Sequence, residues 1–434
     1  MNKDFFVYIL VRTLCAPLAF FPLSWIHVLG NGLGSLIFTF DRKRRKRALN
    51  NLFITIPFNS FSYKEKCRIA KGGFQNLAIT CLEFFRLKRS RGKFEEILTF
   101  DNLDVALKAY EQKKGVILFA GHQANWEASF IAITTHIKGV AIGKRLKNRY
   151  FHKWIFGLRE MHGGKLILPH EAMKVGLQAL KDGQCLGFVG DQALPNSSYS
   201  YPLFGVRAWT SPAPALLAYR SGSAILPSMI VRDNGKYRVH FEQPIWPDLS
   251  KPLKDEVVRM MNQAMALQES NILKHPEQWM WQHNRWKQMP VNHLKKWFRH
   301  DFVSIILPKV NFDHFAAQCH ALRCIFERSF ITVFIPEGKT LNFPEADSLF
   351  TYAKEDDLFI DDYKTQLLID FASVPKLSRH YKKLCCFETI DIKGIHKESH
   401  KYKHLHNNDI STELVYAFCK NTDFNKVFKV INAS

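Results

Sequence analysis

The sequence predicts an α/β protein with an apolar N-terminal segment and a second, smaller α/β block at its C-terminal end. Three observations carry this. Between Lys114 and Leu273, short uninterrupted apolar runs closed by glycine alternate with stretches of helical periodicity. Residues 5–40 are strongly apolar and lead directly into Arg42-Lys43-Arg44-Arg45-Lys46-Arg47. Past residue 292 the strand–helix–strand pattern starts again. A chain of 434 residues has room for two or three domains of roughly 150 residues. The expected boundaries are 1–40, 41–292 and 293–434.

Taken in order, the apolar run is broken by Arg12, Pro17, Pro22 and three glycines, so it is not one clean span of about 20 apolar residues. It is expected to contact a membrane as a tilted span, a hairpin dipping into the bilayer or an interfacial anchor. The basic block behind it suits the cytoplasmic headgroup layer. Residues 60–88 read as an amphipathic helix, with Ser62 as cap and Phe74, Leu77, Ala78, Cys81, Phe84 and Phe85 on one stripe. Val116–Ala120 and Cys185–Val189 are expected buried strands, ended by Gly121 and by Gly190-Asp191, and a helix is expected from about Asn125. Residues 224–231 and 237–241 form a later strand pair around the Asp233-Asn234-Gly235 turn, followed by a helix over residues 255–273. In the last block, strands are expected over 303–310, 331–335, 358–360 and 387–392, with a helix over 313–328.

Lys and Arg number 61 against 39 Asp and Glu, a net charge of +22. Such an excess favours a polyanionic partner: nucleic acid, an anionic membrane or a phosphorylated substrate. Nucleic acid is disfavoured because the aromatic residues group with other apolar residues instead of interleaving with Lys and Arg. The nine cysteines include no CxxC pair and no zinc spacing, so reduced, structural thiols on the cytosolic side are expected. No small-residue cleavage site follows a short apolar stretch, so no secretory signal is read.

The segment with chemistry is Gly121-His122-Gln123-Ala124-Asn125-Trp126-Glu127, at a strand-to-helix switch. Taking a proton from a substrate group needs a base, and histidine, with an ordinary pKa of about 6.5, suits the task. A carboxylate must then hold the imidazole in one tautomer. Glu127, on the first turn of the helix, is expected to fold back onto one ring nitrogen of His122. No covalent enzyme intermediate is required.

Gly-His-x-x-Asn-Trp-Glu resembles the signature of the lipid A secondary (lauroyl/myristoyl) acyltransferases, within the lysophospholipid acyltransferase superfamily. The resemblance continues in order through residues 44–57 (RRKRALNNLFITIP), residues 144–167 (KRLKNRYFHKWIFGLREMHGGKLI), Gly190-Asp191-Gln192, and residues 275–287 (HPEQWMWQHNRWK). It covers roughly residues 5–290. Gly190 stands where the family usually has proline. The segment after Gln192 is less acidic and less glycine-rich than the family's, which leaves acceptor contacts there open.

The resemblance implies a glycerolipid-acyltransferase-like mixed sheet flanked by helices, with a membrane anchor over 1–40 and the acyltransferase domain over 41–292. It implies His122 and Glu127 as the catalytic pair, with Arg159 and Asp191 as further functional residues. Arg159 is expected to stabilise an oxyanion or clamp a substrate phosphate. Asp191 is expected to orient His122 or Arg159, or to cap a helix. Asn125, Lys144, Arg145, Asn148, Gln192, Arg285 and Lys287 are the expected substrate-binding residues; packing is the alternative for the last two. The implied donor is an acyl-acyl carrier protein. The implied acceptor is a hydroxyl on a primary acyl chain of an anionic, Kdo-bearing lipid A precursor at the cytoplasmic face of a bacterial inner membrane. No metal or redox cofactor is expected, and H-x4-E is not the zinc-binding H-E-x-x-H. A related enzyme with another glycolipid or phospholipid acceptor, and a basic membrane-associated binding or scaffold protein, are the alternatives. Phe334-Ile-Pro-Glu-Gly-Lys-Thr340 is similar to the Phe-Pro-Glu-Gly-Thr motif of glycerol-phosphate acyltransferases, but it lies beyond the resembling region and is given no role.

Overall fold

The computed structural model of the protein describes residues 2–87, 97–160, 163–289, 293–405 and 410–433. Within them the chain is mixed α/β and divides into two compact units. The first is Met1–Arg45, Ser60–Ala193 and Ser197–Arg285; the second is Lys46–Asn59, Leu194–Asn196 and Trp286–Ser434. The expected boundary at residue 292 lies outside the described residues.

The chain opens with helices α1 (Lys3–Cys15), α2 (Leu23–Phe40), α3 (Arg42–Ile54) and α4 (Tyr63–Leu87). Helix α4 starts where Ser62 and Glu65 cap one another: Ser62 Oγ accepts from the Glu65 amide, and Glu65 Oε2 accepts from the Ser62 amide. Helix α2 is long and apolar enough, over 18 residues, to cross a membrane. One of its faces lies on α4, where a Cβ at Gly30 would overlap Ile79 and one at Gly34 would overlap Gln75, so only glycine lets the two backbones meet. Trp25, Val28, Leu29, Leu33, Leu36 and Phe40 of α2 remain exposed. In the basic block, Arg42, Lys43 and Arg44 are exposed, and Arg45 donates to the Phe38 and Thr39 carbonyls at the end of α2. Lys46 instead donates to the Lys382 and Cys386 carbonyls of the second unit, so the block does not face solvent as a whole.

The remainder of the first unit runs β1 (Leu98–Phe100), α5 (Leu103–Glu111), β2 (Val116–Ala120), α6 (Trp126–Ile133), β3 (Gly139–Ile142), α7 (Arg149–Arg159), β4 (Gly164–Ile167), α8 (Leu177–Lys181), β5 (Cys185–Val189), β6 (Tyr199–Leu203), β7 (Val206–Thr210), α9 (Ala213–Ser221), β8 (Ala224–Asp233), β9 (Lys236–Phe241) and α10 (Leu253–Lys274). Seven strands form one sheet in the order β1-β9-β8-β2-β5-β3-β4. Only the β8–β9 hairpin pairs antiparallel, and β6 and β7 form a separate hairpin. Parallel β2 and β5 are central in the sheet, β2 buried along most of its length and β5 at Cys185 and Leu186, which is why they read as plain apolar runs. Their register sets Ala120 beside Val189, so the two chains leave the sheet side by side, one into His122 and the other into Asp191.

The second unit holds β10 (Phe302–Ile306), α11 (Phe312–Ala316), α12 (Gln318–Ile325), β11 (Phe330–Pro336), β12 (Ser348–Tyr352), β13 (Leu367–Asp370), α13 (Leu377–Lys383), β14 (Glu388–Asp391), α14 (Ile392–Ser399), α15 (Ile410–Phe418) and α16 (Phe424–Ala433). Its five strands are all parallel, in the order β12-β11-β10-β13-β14. Three expectations are corrected. Strand β10 ends at Ile306, short of Pro308, which has no amide to donate to a ladder. The helix expected over 313–328 breaks into α11 and α12 at Ala317. No strand forms over 358–360: Leu358 closes a 3-10 turn, Glu355–Leu358, in which Asp357 Oδ2 accepts from the Ala353 and Lys354 amides.

Candidate active site

The loop from β2 to α6 is held from every side. His122 N donates to Asp191 Oδ2 at 2.7 Å, and the His122 carbonyl accepts from Met280 N. The Ala124 amide donates to the Gln278 carbonyl, and the Ala124 carbonyl accepts from Asn76 Nδ2 and Thr80 Oγ1 of α4. Ala124 has φ of 44°, a left-handed conformation that a side chain tolerates only when its surroundings enforce it. Here the bonds to α4 and to the 275–287 segment do so. At Gly121 a Cβ would overlap the Gln268 side-chain amide, which would have to move aside where β2 ends.

His122 Nδ1 lies 2.5 Å from Asp191 Oδ1. An ionised carboxylate only accepts, so Nδ1 carries the hydrogen and Nε2 keeps the lone pair. Gln192 Nε2 is 3.2 Å from that Nε2, and the Trp126 ring packs edge-on at 4.8 Å. Asp191 also accepts from Trp279 Nε1 at 2.8 Å. Both partners are buried. Burial alone would lower the pKa of His122, but the charge and hydrogen bond of Asp191, with the charge of Glu127, outweigh it and hold the imidazole above its ordinary value. Burial raises Asp191, and its bonds to His122 and Trp279 overcome this and leave it well below the usual carboxylate range.

Glu127 does not fold back onto His122, contrary to expectation. Its two oxygens take the Arg159 fork instead, Nε to Oε2 at 2.7 Å and Nη2 to Oε1 at 2.5 Å. A planar guanidinium matches both oxygens at once, and the carboxylate sits in the first turn of α6, where the helix end favours negative charge. The site is thus two pairs, His122–Asp191 and Glu127–Arg159.

Of the residues expected to bind substrate, Gln192 lies against the His122 ring. Lys144 and Arg145 are exposed after β3, with no acidic partner among the described residues. Asn148 accepts from the Tyr150 and Phe151 amides as the cap of α7 and donates to the Asp4 carbonyl. Asn125 and Arg285 are buried, with partners inside the first unit, and Arg285 Nε has no hydrogen-bond partner among the described residues. Asn125 is buried; its Oδ1 caps α6 by accepting from Ala128 N, and its Nδ2 donates to Glu83 at 2.5 Å. Arg285 is fully buried, donates to the Trp209 carbonyl and Thr210 Oγ1 of β7, and is lowered by burial to about 10. Lys287 is exposed and belongs to the second unit. Two residues escaped the sequence reading. Trp279 lies inside a quoted motif without an assigned role. Glu83 stands beside the apolar stripe of α4, and a lone carboxylate there was the signal.

Gly190, where proline is usual, has a physical reason: a Cβ there would overlap the Phe119 ring, which fills the space.

The family model described as bacterial lipid A biosynthesis acyltransferase matches residues 3–288. The chain is similar to the lipid A biosynthesis lauroyltransferase of Escherichia coli (strain K12), 27% identical over 279 residues, covering 62% of this chain and 87% of that one. It is similar to the same organism's lipid A biosynthesis palmitoleoyltransferase, 27% identical over 283 residues with the same coverage. Lipid A biosynthesis acyltransferase 2 of Shigella flexneri is 22% identical over 282 residues, covering 62% of this chain and 86% of its own. With the family's motifs gathered around the His122 loop and the match spanning most of the chain, the protein belongs to the bacterial lipid A biosynthesis acyltransferases and is an acyltransferase.

Proposed function

We propose that the protein transfers a fatty acyl chain from acyl-acyl carrier protein to a hydroxyl on a primary acyl chain of a Kdo-lipid A precursor, at the cytoplasmic face of a bacterial inner membrane. In this reading, residues 1–40 anchor the chain, 41–292 form the acyltransferase domain, and 293–434 form a domain of separate role. The observation that carries it is the polarity of the His122 ring. Nδ1 is bound by Asp191, and the Nε2 lone pair is the one left for a substrate hydroxyl.

Nε2 takes the proton of the acceptor hydroxyl as its oxygen attacks the thioester carbonyl. Asp191 fixes the tautomer and stabilises the imidazolium that forms. The tetrahedral intermediate collapses, the C–S bond breaks, and His122 returns the proton to the departing thiolate; one ester and one thiol result. The acceptor hydroxyl displaces the Gln192 amide from Nε2, and that amide is then free to donate to the oxyanion. Arg159, held by Glu127, offers positive charge to an anionic substrate group. Exposed Lys144 and Arg145, with the net charge of +22, favour an anionic lipid and an acidic carrier protein.

The test is acyl transfer by solubilised enzyme from a set of acyl-carrier donors to a labelled Kdo2-lipid IVA-type acceptor, for wild type and His122→Ala. A mass gain of one acyl group is expected, reduced about 100-fold to 10,000-fold in the variant. No transfer by folded wild type would sink the lipid A acceptor and turn attention to other lipids. Full transfer by His122→Ala would overturn the base.

A further inference from the structure

One buried carboxylate of the first unit takes no part in these steps. Glu83 of α4 receives three donors from three other elements: Asn125 Nδ2 at 2.5 Å and Tyr237 Oη at 2.6 Å on Oε2, and His27 Nε2 at 2.7 Å on Oε1. Burying a carboxylate is costly unless its oxygens are satisfied, and here they are. With Asn76 and Thr80, which donate to the Ala124 carbonyl, Glu83 forms the polar side of α4 that faces the start of α6, while Phe74, Ala78 and Ile79 are apolar.

Its consequence lies in Asn125. An asparagine amide has an acceptor end and a donor end of nearly the same shape. Only the orientation with Oδ1 toward the Ala128 amide caps α6. Glu83 accepts and does not donate, so it selects that orientation by drawing Nδ2 to itself. The cap stands three residues after His122 and two before Glu127, beside the strained Ala124. An inverted or displaced Asn125 would loosen the start of α6 and shift the two pairs against each other.

We infer that Glu83 is a positioning residue for acyl transfer: by fixing the orientation of the Asn125 amide it sets the start of α6, and with it the placement of His122 relative to the Glu127–Arg159 pair. This rests on the reading of His122 as the base. Glu83 touches no reacting atom, so its removal acts on kcat and leaves the KM of both substrates in place.

The experiment is a swap of polarity across one hydrogen bond, read as kcat and KM per folded molecule well below each variant's Tm. Glu83→Leu leaves Asn125 Nδ2 without its acceptor, and kcat is expected to fall about tenfold to 100-fold, the scale of a misplacement near 1 Å; Glu83→Gln serves only in the double variant with Asn125→Asp. Asn125→Asp keeps a good cap but sets carboxylate against carboxylate, and a similar fall is expected. In the double variant the donor and acceptor have exchanged sides. Tyr237 can turn its hydroxyl to accept, His27 keeps Oε1, and kcat is expected to recover at least tenfold over Asn125→Asp. Unchanged kcat in folded Glu83→Leu, with only Tm lowered, would reduce Glu83 to a structural role and overturn the inference. So would a double variant no faster than Asn125→Asp, a comparison that stands even if Glu83→Leu fails to fold. His122→Ala in the same series separates the two readings: an active His122→Ala defeats the base, whereas a dead one beside silent Glu83 variants defeats only the positioning role.

Discussion

Replacing Asp191 by Asn probes the His122 pair most directly. The substitution keeps size and shape but removes the negative charge, and it sets an NH2 group against one of three donors: His122 N, His122 Nδ1 or Trp279 Nε1. In the transition state the imidazolium loses a short charge-assisted hydrogen bond, about 1.5–3 kcal/mol, together with part of its attraction to an anion. A combined loss of about 4 kcal/mol is about 1,000-fold in kcat. The pH profile supplies a second readout with a definite sign. Asp191 is what lifts His122 above its ordinary value against burial, so in wild type the acid limb of kcat/KM, where neutral imidazole appears, lies above about pH 6.5. Without that charge burial prevails, and the limb moves to lower pH while the plateau drops. The assay is kcat/KM for acyl transfer from about pH 5 to 9, with circular dichroism to confirm folding. A limb that stays in place, or moves to higher pH, would refute the role given to Asp191.

Two further outcomes follow from the geometry. Arg159→Lys keeps the charge but cannot fill both Glu127 oxygens, so kcat/KM is expected to fall about tenfold to 100-fold, the loss of one charged hydrogen bond; wild-type kinetics would show that charge alone suffices. Gly34→Leu drives a side chain into the α4 backbone and is expected to cost about 1–3 kcal/mol, seen as a Tm lowered by several degrees. Gly32→Leu, at a position with nothing within 4 Å, is the matched control, and equal Tm values for the two variants would contradict close helix packing.

Strands β2 and β5 were legible to the residue because a parallel strand buried on both faces permits no polar interruption and glycine marks its end. Strands β3 and β4 were missed: four residues beginning with glycine carry too little periodicity to stand out. His122 was legible for its residue type and its place at a strand-to-helix switch. Glu127 was expected on the ring because it lies five residues on along the chain, while an orienting role for Asp191 was one of several that the resemblance left open. The sheet register instead delivers Asp191, 69 residues away, on the neighbouring strand. No local pattern announces such a pairing; it needs the strand order. For the same reason, the contacts of Asn125 with α4 and of Arg285 with β7 were not legible in the motifs that contain them.

The composition of the second unit has a consequence for how the protein is made. Asn50 of α3 receives Gln366 Nε2 and donates to the Tyr363 and Lys364 carbonyls, and Phe53 stacks on Tyr363 with ring centroids 4.3 Å apart. The Asn50–Gln366 bond joins residues 316 apart. At about 5–20 residues per second, the ribosome delivers Gln366 roughly 15–60 s after Asn50. For that interval Leu49, Leu52, Ile54 and Phe58, all buried in the finished fold, have no native partners from the C-terminal block. The nascent chain therefore carries an unsheltered apolar patch just behind its basic block and apolar N-terminal segment, and it is in this window that a chaperone or a membrane surface has the most to protect.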